Sequence, residues 1–199
     1  MTQFTNSGEM YEIFSVPVYK VELNLDVNVI IKSCLNVYKT GTNRKISNLG
    51  GFQTGLNIKE HGKFLKQLTK DVEKHATIFA SEFINYNPQK VESLWLNINK
   101  YKDSNLSHLH TGCDLSGCFY LKTPENCGAI VFQHPAIDLL SFYDDTKNIE
   151  YRNSWNSLSW EFEPKENWLY LFPAWLKHYV KPNENKNQDR ISIAMNLKA

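Results

Sequence analysis

The sequence has no apolar run approaching the roughly 20 residues that a membrane helix requires, so a spanning helix is excluded and a soluble protein is expected. It has no excess of one charge. Its 22 Lys and Arg stand against 21 Asp and Glu, dispersed along the chain, so no basic stripe is available for phosphate contacts and no nucleic-acid partner is expected. Small or neutral substrates fit better. The four cysteines (Cys34, Cys113, Cys118 and Cys127) lack Cys-x-x-Cys spacing, and no charged segment leads into an apolar signal core at the N-terminus. A reduced, cytoplasmic setting follows as the expectation. No Pro/Gly/Ser-rich stretch divides the 199 residues and no internal repeat is present, which points to one domain.

What is present divides into a helical first part and a stranded second part. Glu12 to Leu25 alternates as a strand does, with Pro17 favouring an edge or a strand start. Asp26 to Tyr38 carries Val29, Ile30, Cys34, Leu35 and Tyr38 at helical spacing behind a capping aspartate. Residues 40–62, rich in Gly, Asn and Thr, read as loop. Phe64 to Tyr86 is the clearest helix, with Phe64, Leu65, Leu68, Val72, Ala76, Phe79, Ala80 and Phe83 in one stripe and His75 beside it as a boundary residue.

After Pro88 the period changes to two. Leu94, Leu96 and Ile98 alternate with Trp95, Asn97, Asn99 and Tyr101. Further strands are expected over Leu115–Lys122, Gly128–Phe132, Ser157–Phe162, Trp168–Phe172 and Ile191–Leu197. Short strands after a helical segment indicate a mostly β, α+β architecture: an antiparallel sandwich or barrel with helices packed outside.

Two imidazoles stand two residues apart in Ser107-His108-Leu109-His110. At about 3.3 Å per residue they lie roughly 6 to 7 Å apart along a strand and project from one face. That suffices for two nitrogens to meet one ion at about 2.0 to 2.2 Å. Two exposed histidines at a strand entrance are an equally ordinary arrangement. A third candidate ligand is His178, where a strand would begin after Phe172-Pro173 and an aromatic turn. In the last strand Arg190, Ser192, Ala194 and Asn196 share one face. A buried guanidinium needs an anionic partner, which a dicarboxylate cosubstrate would supply and which Asp189 or Glu184 could equally supply at the surface.

His-x-His entering Leu-Ser-Gly-x-x-Tyr-Leu, then Gly-x-x-x-Phe-x-x-Pro, then Leu-Phe-Pro-x-Trp-Leu-x-His-x-Val, then Arg-Ile-Ser-Ile-Ala-x-Asn resembles the 2-oxoglutarate and Fe(II)-dependent oxygenases of marine bacteria and their tailed phages. The likeness spans about Trp95 to Leu197. It implies a double-stranded β-helix, or jelly roll, with residues 91–199 as its core and residues 1–90 as a strand-and-helix support that could also form a homodimer contact. It further implies Fe(II) held by His108, His110 and His178, with O2 as oxidant. The distal carboxylate of 2-oxoglutarate would lie on Arg190 and Ser192, with Tyr120 and Lys122 helping to hold the cosubstrate. The implied reaction hydroxylates a small-molecule or peptide substrate and releases succinate and CO2.

One departure stands out. The superfamily's second ligand is usually Asp or Glu, and here His110 fills that slot, with Asp114 as the nearest alternative. Two other readings stay open: a non-catalytic jelly-roll binding or virion-associated protein, and a three-histidine cupin-type dioxygenase that uses no 2-oxoglutarate. Trp95, Tyr101, Trp155, Trp160, Trp168 and Trp175 could wall a substrate pocket or pack as core. The loop from Asp138 to Ser157, with Asp144-Asp145 and Tyr151-Arg152, could cover the site.

Overall fold

A computed structural model describes residues 14–57, 62–83, 88–142 and 150–199. Glu12, Ile13, His61, the 84–86 end of the expected helix and Asp144-Asp145 lie outside the described residues. In chain order the elements are β1 (Tyr19–Glu22), α1 (Val27–Thr40), β2 (Asn48–Leu49), β3 (Phe52–Gly55), α2 (Gly62–Phe83), β4 (Lys90–Asn99) and β5 (Ser104–His108). They continue with β6 (Leu115–Lys122), β7 (Ile130–Gln133), α3 (Ile137–Phe142), β8 (Ser159–Phe162), β9 (Trp168–Pro173), β10 (His178–Val180) and β11 (Arg190–Lys198).

All strand pairs described are antiparallel. They form a six-stranded sheet in the order β1-β9-β6-β11-β4-β3 and a five-stranded sheet in the order β2-β5-β10-β7-β8. This is the jelly roll that the motifs imply. Its larger sheet presents opposite chemistry on its two faces because side chains alternate along each strand. Leu94, Leu96, Ile98, Phe119, Leu121, Ile191, Ile193, Met195 and Leu197 point outward into one apolar core, shared with the helices.

The helices reach that core through apolar stripes, the expected one in α2 and a shifted one in α1, where Val29 and Leu35, expected in the stripe, are exposed. In α1 these are Val27, Ile30, Cys34 and Val37, behind Asp26, whose Oδ1 accepts from the Val29 N–H at 3.2 Å. In α2 they are Leu65, Leu68, Val72, Ala76, Phe79 and Ala80. His75 sits at the edge of this stripe, half-buried, with its Nδ1 hydrogen-bonded to the Tyr19 hydroxyl at 2.9 Å. It is not part of the group formed by His108, His110 and His178.

Three further expectations change. Residues 40–62 are not all loop: β2 and β3 lie there and pair with β5 and β4, so the N-terminal half supplies strands to both sheets as well as helices. Gly50 and Gly51, both at positive φ, turn the chain within two residues from β2 in one sheet to β3 in the other, and composition alone hid the strands. The 138–157 segment begins in a short helix, α3. β4 ends at Asn99, which leaves Tyr101 exposed in the following turn.

Candidate metal centre

The five-stranded sheet brings the histidines together. His178 opens β10 and is the direct cross-strand partner of His108, the last residue of β5, and of Phe132 on β7. Directly opposed side chains on one sheet face stand close enough to share a ligand. His110 lies two residues past the end of β5, fixed by its N–H donating to the Ala174 carbonyl at 2.9 Å. Ligand-capable atoms of His108, His110 and His178 all lie within 4.8 Å of one another. Ring centroids are 4.4 Å apart for His108 and His178, and 5.1 and 5.3 Å apart for each of these with His110.

Their hydrogen bonds settle which nitrogens are free. His108 Nδ1 lies 2.7 Å from the Leu106 carbonyl and His178 Nδ1 lies 2.8 Å from the Leu176 carbonyl. A carbonyl can only accept, so both Nδ1 atoms carry the proton and both Nε2 lone pairs remain available. Backbone carbonyls that orient an imidazole in this way are the usual outer support of a metal-binding histidine. Burial favours the neutral rings. It lowers the His108 pKa from its ordinary value, and burial reinforced by repulsion from His108 lowers His110 to about 4 and His178 to about 3. Trp95 stacks on His110 at 5.8 Å, and Phe172 contacts His178 at 4.6 Å.

Asp114 is engaged elsewhere. Its carboxylate accepts from the Ala199 N–H at 2.9 Å, and its backbone bonds to Leu197 and Ala174, which ties the start of β6 to the ends of β11 and β9. The convergent group among the described residues consists of the three histidines.

A cavity runs from these rings between the sheets to Arg190 and is lined by Trp95, Asn97, Asn99, Tyr120 and Ser192 among others. Arg190 is 1% exposed. Its Nη1 donates to the carbonyls of Cys127, Gly128 (3.2 Å) and Lys181 (3.0 Å), while its Nη2 is buried without a partner. No ion pair joins it to a carboxylate among the described residues; Glu184 pairs instead with Lys102 at 2.5 Å. The Tyr120 hydroxyl and Asn99 Nδ2 are likewise buried and unpartnered. Register explains the grouping. Arg190 opposes Asn99, and Ser192 opposes Asn97 on one side and Tyr120 on the other, all on the inner face. Three unmet buried donors at one end of a cavity are costly unless an acceptor-rich ligand occupies it. Lys122 ends β6 half-buried and does not line this cavity.

Sequence reading missed Asn99, whose signal was its inward parity opposite Arg190. It named Gly128 as the start of a motif and a strand but not its part beside Arg190. That residue adopts φ +88°, and a Cβ there would stand 2.3 Å from the Lys181 carbonyl, so only glycine lets the backbone close around the guanidinium.

No protein of curated function matches the sequence. Solved structures do match in fold. A Pseudomonas putida prolyl-4-hydroxylase is 10% identical with a TM-score of 0.64, covering 92% of this chain and 93% of its own. The viral collagen prolyl hydroxylase of Paramecium Bursaria Chlorella virus-1, in complex with 2-oxoglutarate, is 15% identical at 0.59 (92% and 96%). The epimerase SnoN, in complex with Fe3+, α-ketoglutarate and nogalamycin RO, is 11% identical at 0.62 (92% and 79%). The family described as "Putative 2OG-Fe(II) oxygenase" matches residues 93–196, just over half the chain, from the strand facing Arg190 through all three histidines to the end of the inward face of β11. The chain belongs to this family of 2OG-Fe(II) oxygenases, with iron and 2-oxoglutarate as its cofactors.

Proposed function

We propose that the protein hydroxylates an organic substrate, with His108 and His178, each through Nε2, and His110 holding Fe(II) and the buried end of the cavity holding 2-oxoglutarate. The observation that carries this reading is the pairing, in one cavity, of three neutral imidazoles with the unpartnered Nη2 of a buried arginine. The residues fit both groups: soft neutral nitrogen donors for the metal, and a cation with two neutral donors for a carboxylate.

When bound, iron and 2-oxoglutarate supply the oxidising chemistry, in which one oxygen atom of O2 enters the substrate C–H bond and the other enters succinate as CO2 leaves. The protein's part is placement. Arg190 Nη2 binds the distal carboxylate, and Tyr120 and Asn99 donate to the same group. The three backbone carbonyls on Nη1 keep the guanidinium from turning. Phe132 and Phe172 keep water from the far side of His178. Among the described residues the site carries no carboxylate ligand, so Fe(II) held by the three histidines would keep its full positive charge, which would strengthen its hold on an anionic cosubstrate. The three-histidine set is the one feature that favours a dioxygenase working without 2-oxoglutarate, and the unmet Arg190 donor weighs against that.

The test is succinate release from 2-oxoglutarate with Fe(II) in air, across peptides, amino acids, nucleotides and lipids, with product mass read after labelling with 18O2. One substrate should raise succinate release and gain one labelled oxygen. Succinate coupled to a product without added oxygen would replace hydroxylation with another oxidation.

A further inference from the structure

The cavity between the sheets holds polar atoms that 2-oxoglutarate does not match. Gln53 on β3 and Asn97 on β4 are direct cross-strand partners, 4% and 7% exposed, and both line the cavity. Gln53 Oε1 and Asn97 Oδ1 are buried without a partner among the described residues. Both are acceptors. Ionised 2-oxoglutarate carries only acceptors itself, so it answers the donors around Arg190 and leaves this pair unmet. A buried oxygen without a donor is costly, and an N–H or O–H from a second molecule would meet it.

The same edge strand has a cation at the mouth of the cavity. Arg44 is exposed, and its guanidinium makes no ion pair or hydrogen bond among the described residues. Its backbone is held in place: the Arg44 N–H donates to the Gln53 carbonyl at 2.7 Å, and the Gln53 N–H donates to Asn43 Oδ1 at 2.9 Å. The guanidinium lies beside Gly55, where a Cβ would stand 3.7 Å from its Nη1, so a longer side chain there would take its place. Gly55 opposes Trp95, which lines the cavity and stacks on His110 at 5.8 Å. From the metal centre outward the order is His110, Trp95, Gly55, Arg44. Gln53, two residues before Gly55, stands about 6 to 7 Å deeper along the strand.

We infer that this β3 edge of the metal cavity binds the primary substrate, with a carboxylate on Arg44 and a neighbouring N–H on the oxygens of Gln53 and Asn97, a pairing found in acylated amino acids and peptide carboxyl ends. This rests on the oxygenase reading above. The guanidinium fork matches a planar carboxylate, and the amide oxygens accept what a carboxylate cannot give. The two contacts are of opposite kind, so a ligand with one of the groups gains only one of them.

The probes are hippurate, its neutral amide hippuramide, and N-benzoylsarcosine, which is hippurate with the N–H replaced by N–CH3. With Mn(II) in the histidine site and 2-oxoglutarate bound to the full chain, broadening of probe protons in NMR reports molecules held beside the metal. Hippurate should bind at least about tenfold more tightly than hippuramide, as a hydrogen bond to a charged group allows, and about fivefold more tightly than N-benzoylsarcosine. Arg44→Gln, at an exposed position, should erase the first preference and keep the second; Gln53→Leu should do the reverse. Lys45→Gln, which removes the adjacent exposed cation, should change neither. Equal binding of the three probes would overturn the inference, as would a carboxylate preference that survives Arg44→Gln or is lost equally in Lys45→Gln. Phenyl phosphate binding as tightly as hippurate would overturn the carboxylate assignment. Saturation transfer from the metal-free chain repeats the ranking without Mn(II). A chain that ranks the probes as expected but takes up no metal would lose only the oxygenase reading, and one that takes up metal and 2-oxoglutarate but binds no probe would lose only this site.

Discussion

The two faces of β11 differ by one residue of register and by almost everything else. Outward, Ile191, Ile193, Met195 and Leu197 are buried against helices and have all they need from packing. Inward, Arg190 and Asn196 are left with buried atoms that have no partner among the described residues. A face whose contacts are complete serves stability, and one whose polar groups wait for a partner serves binding. The same strand does both because side chains alternate.

Substitutions on the two faces should therefore separate cleanly. His178→Ala should weaken iron binding by more than about 100-fold, since even disturbing the groups that support a ligand costs up to that much; metal content after dialysis reads this. Arg190→Ala should cost about 2 to 5 kcal/mol of 2-oxoglutarate binding, as truncating one partner of a buried charge pair does, with bound iron unchanged. Ile193→Ala, on the outward face, should cost about 2 to 5 kcal/mol of folding stability in denaturant titration, and the surviving folded protein should keep its affinity for both cofactors. An outward substitution that weakened cofactor binding as much as Arg190→Ala would break the comparison.

A smaller effect is expected from pH. In the metal-free protein His110 and His178 resist protonation until about pH 4 and 3, while the unfolded chain takes up protons near 6.5. The unfolded state therefore binds more protons throughout that window. Stability should be flat above 6.5 and fall as pH drops towards 3, and His178→Phe should flatten the decline. Lys122→Ala, outside the cavity, should leave 2-oxoglutarate affinity unchanged, as isothermal titration would show.

Much of this was legible in the sequence. The alternation of Leu94 to Asn99 and of Arg190 to Asn196 gave both faces correctly, and the spacing of α2 gave its buried stripe, because burial follows period; in α1 the spacing caught Ile30 and Cys34 but not Val27 and Val37, and it included Val29 and Leu35, which are exposed. The three imidazoles were legible as candidates, but their convergence depends on His108 pairing with His178 across strands 70 residues apart in sequence, which no local pattern contains. Asp114 illustrates the same limit: near the histidines in sequence, it is turned to the chain's end by the pairing of β6 with β11. β2 and β3 escaped notice because strands of two and four residues are too short to establish a period.

On the proposed reading, 2-oxoglutarate bound to iron completes the inward face. Anaerobic titration of the Fe(II)-loaded protein with 2-oxoglutarate, followed in the visible region, tests it directly. A weak charge-transfer band should grow to saturation and vanish in Arg190→Ala while iron stays bound. Bound iron with no band in the unsubstituted protein would contradict the account and favour a three-histidine dioxygenase that uses no 2-oxoglutarate.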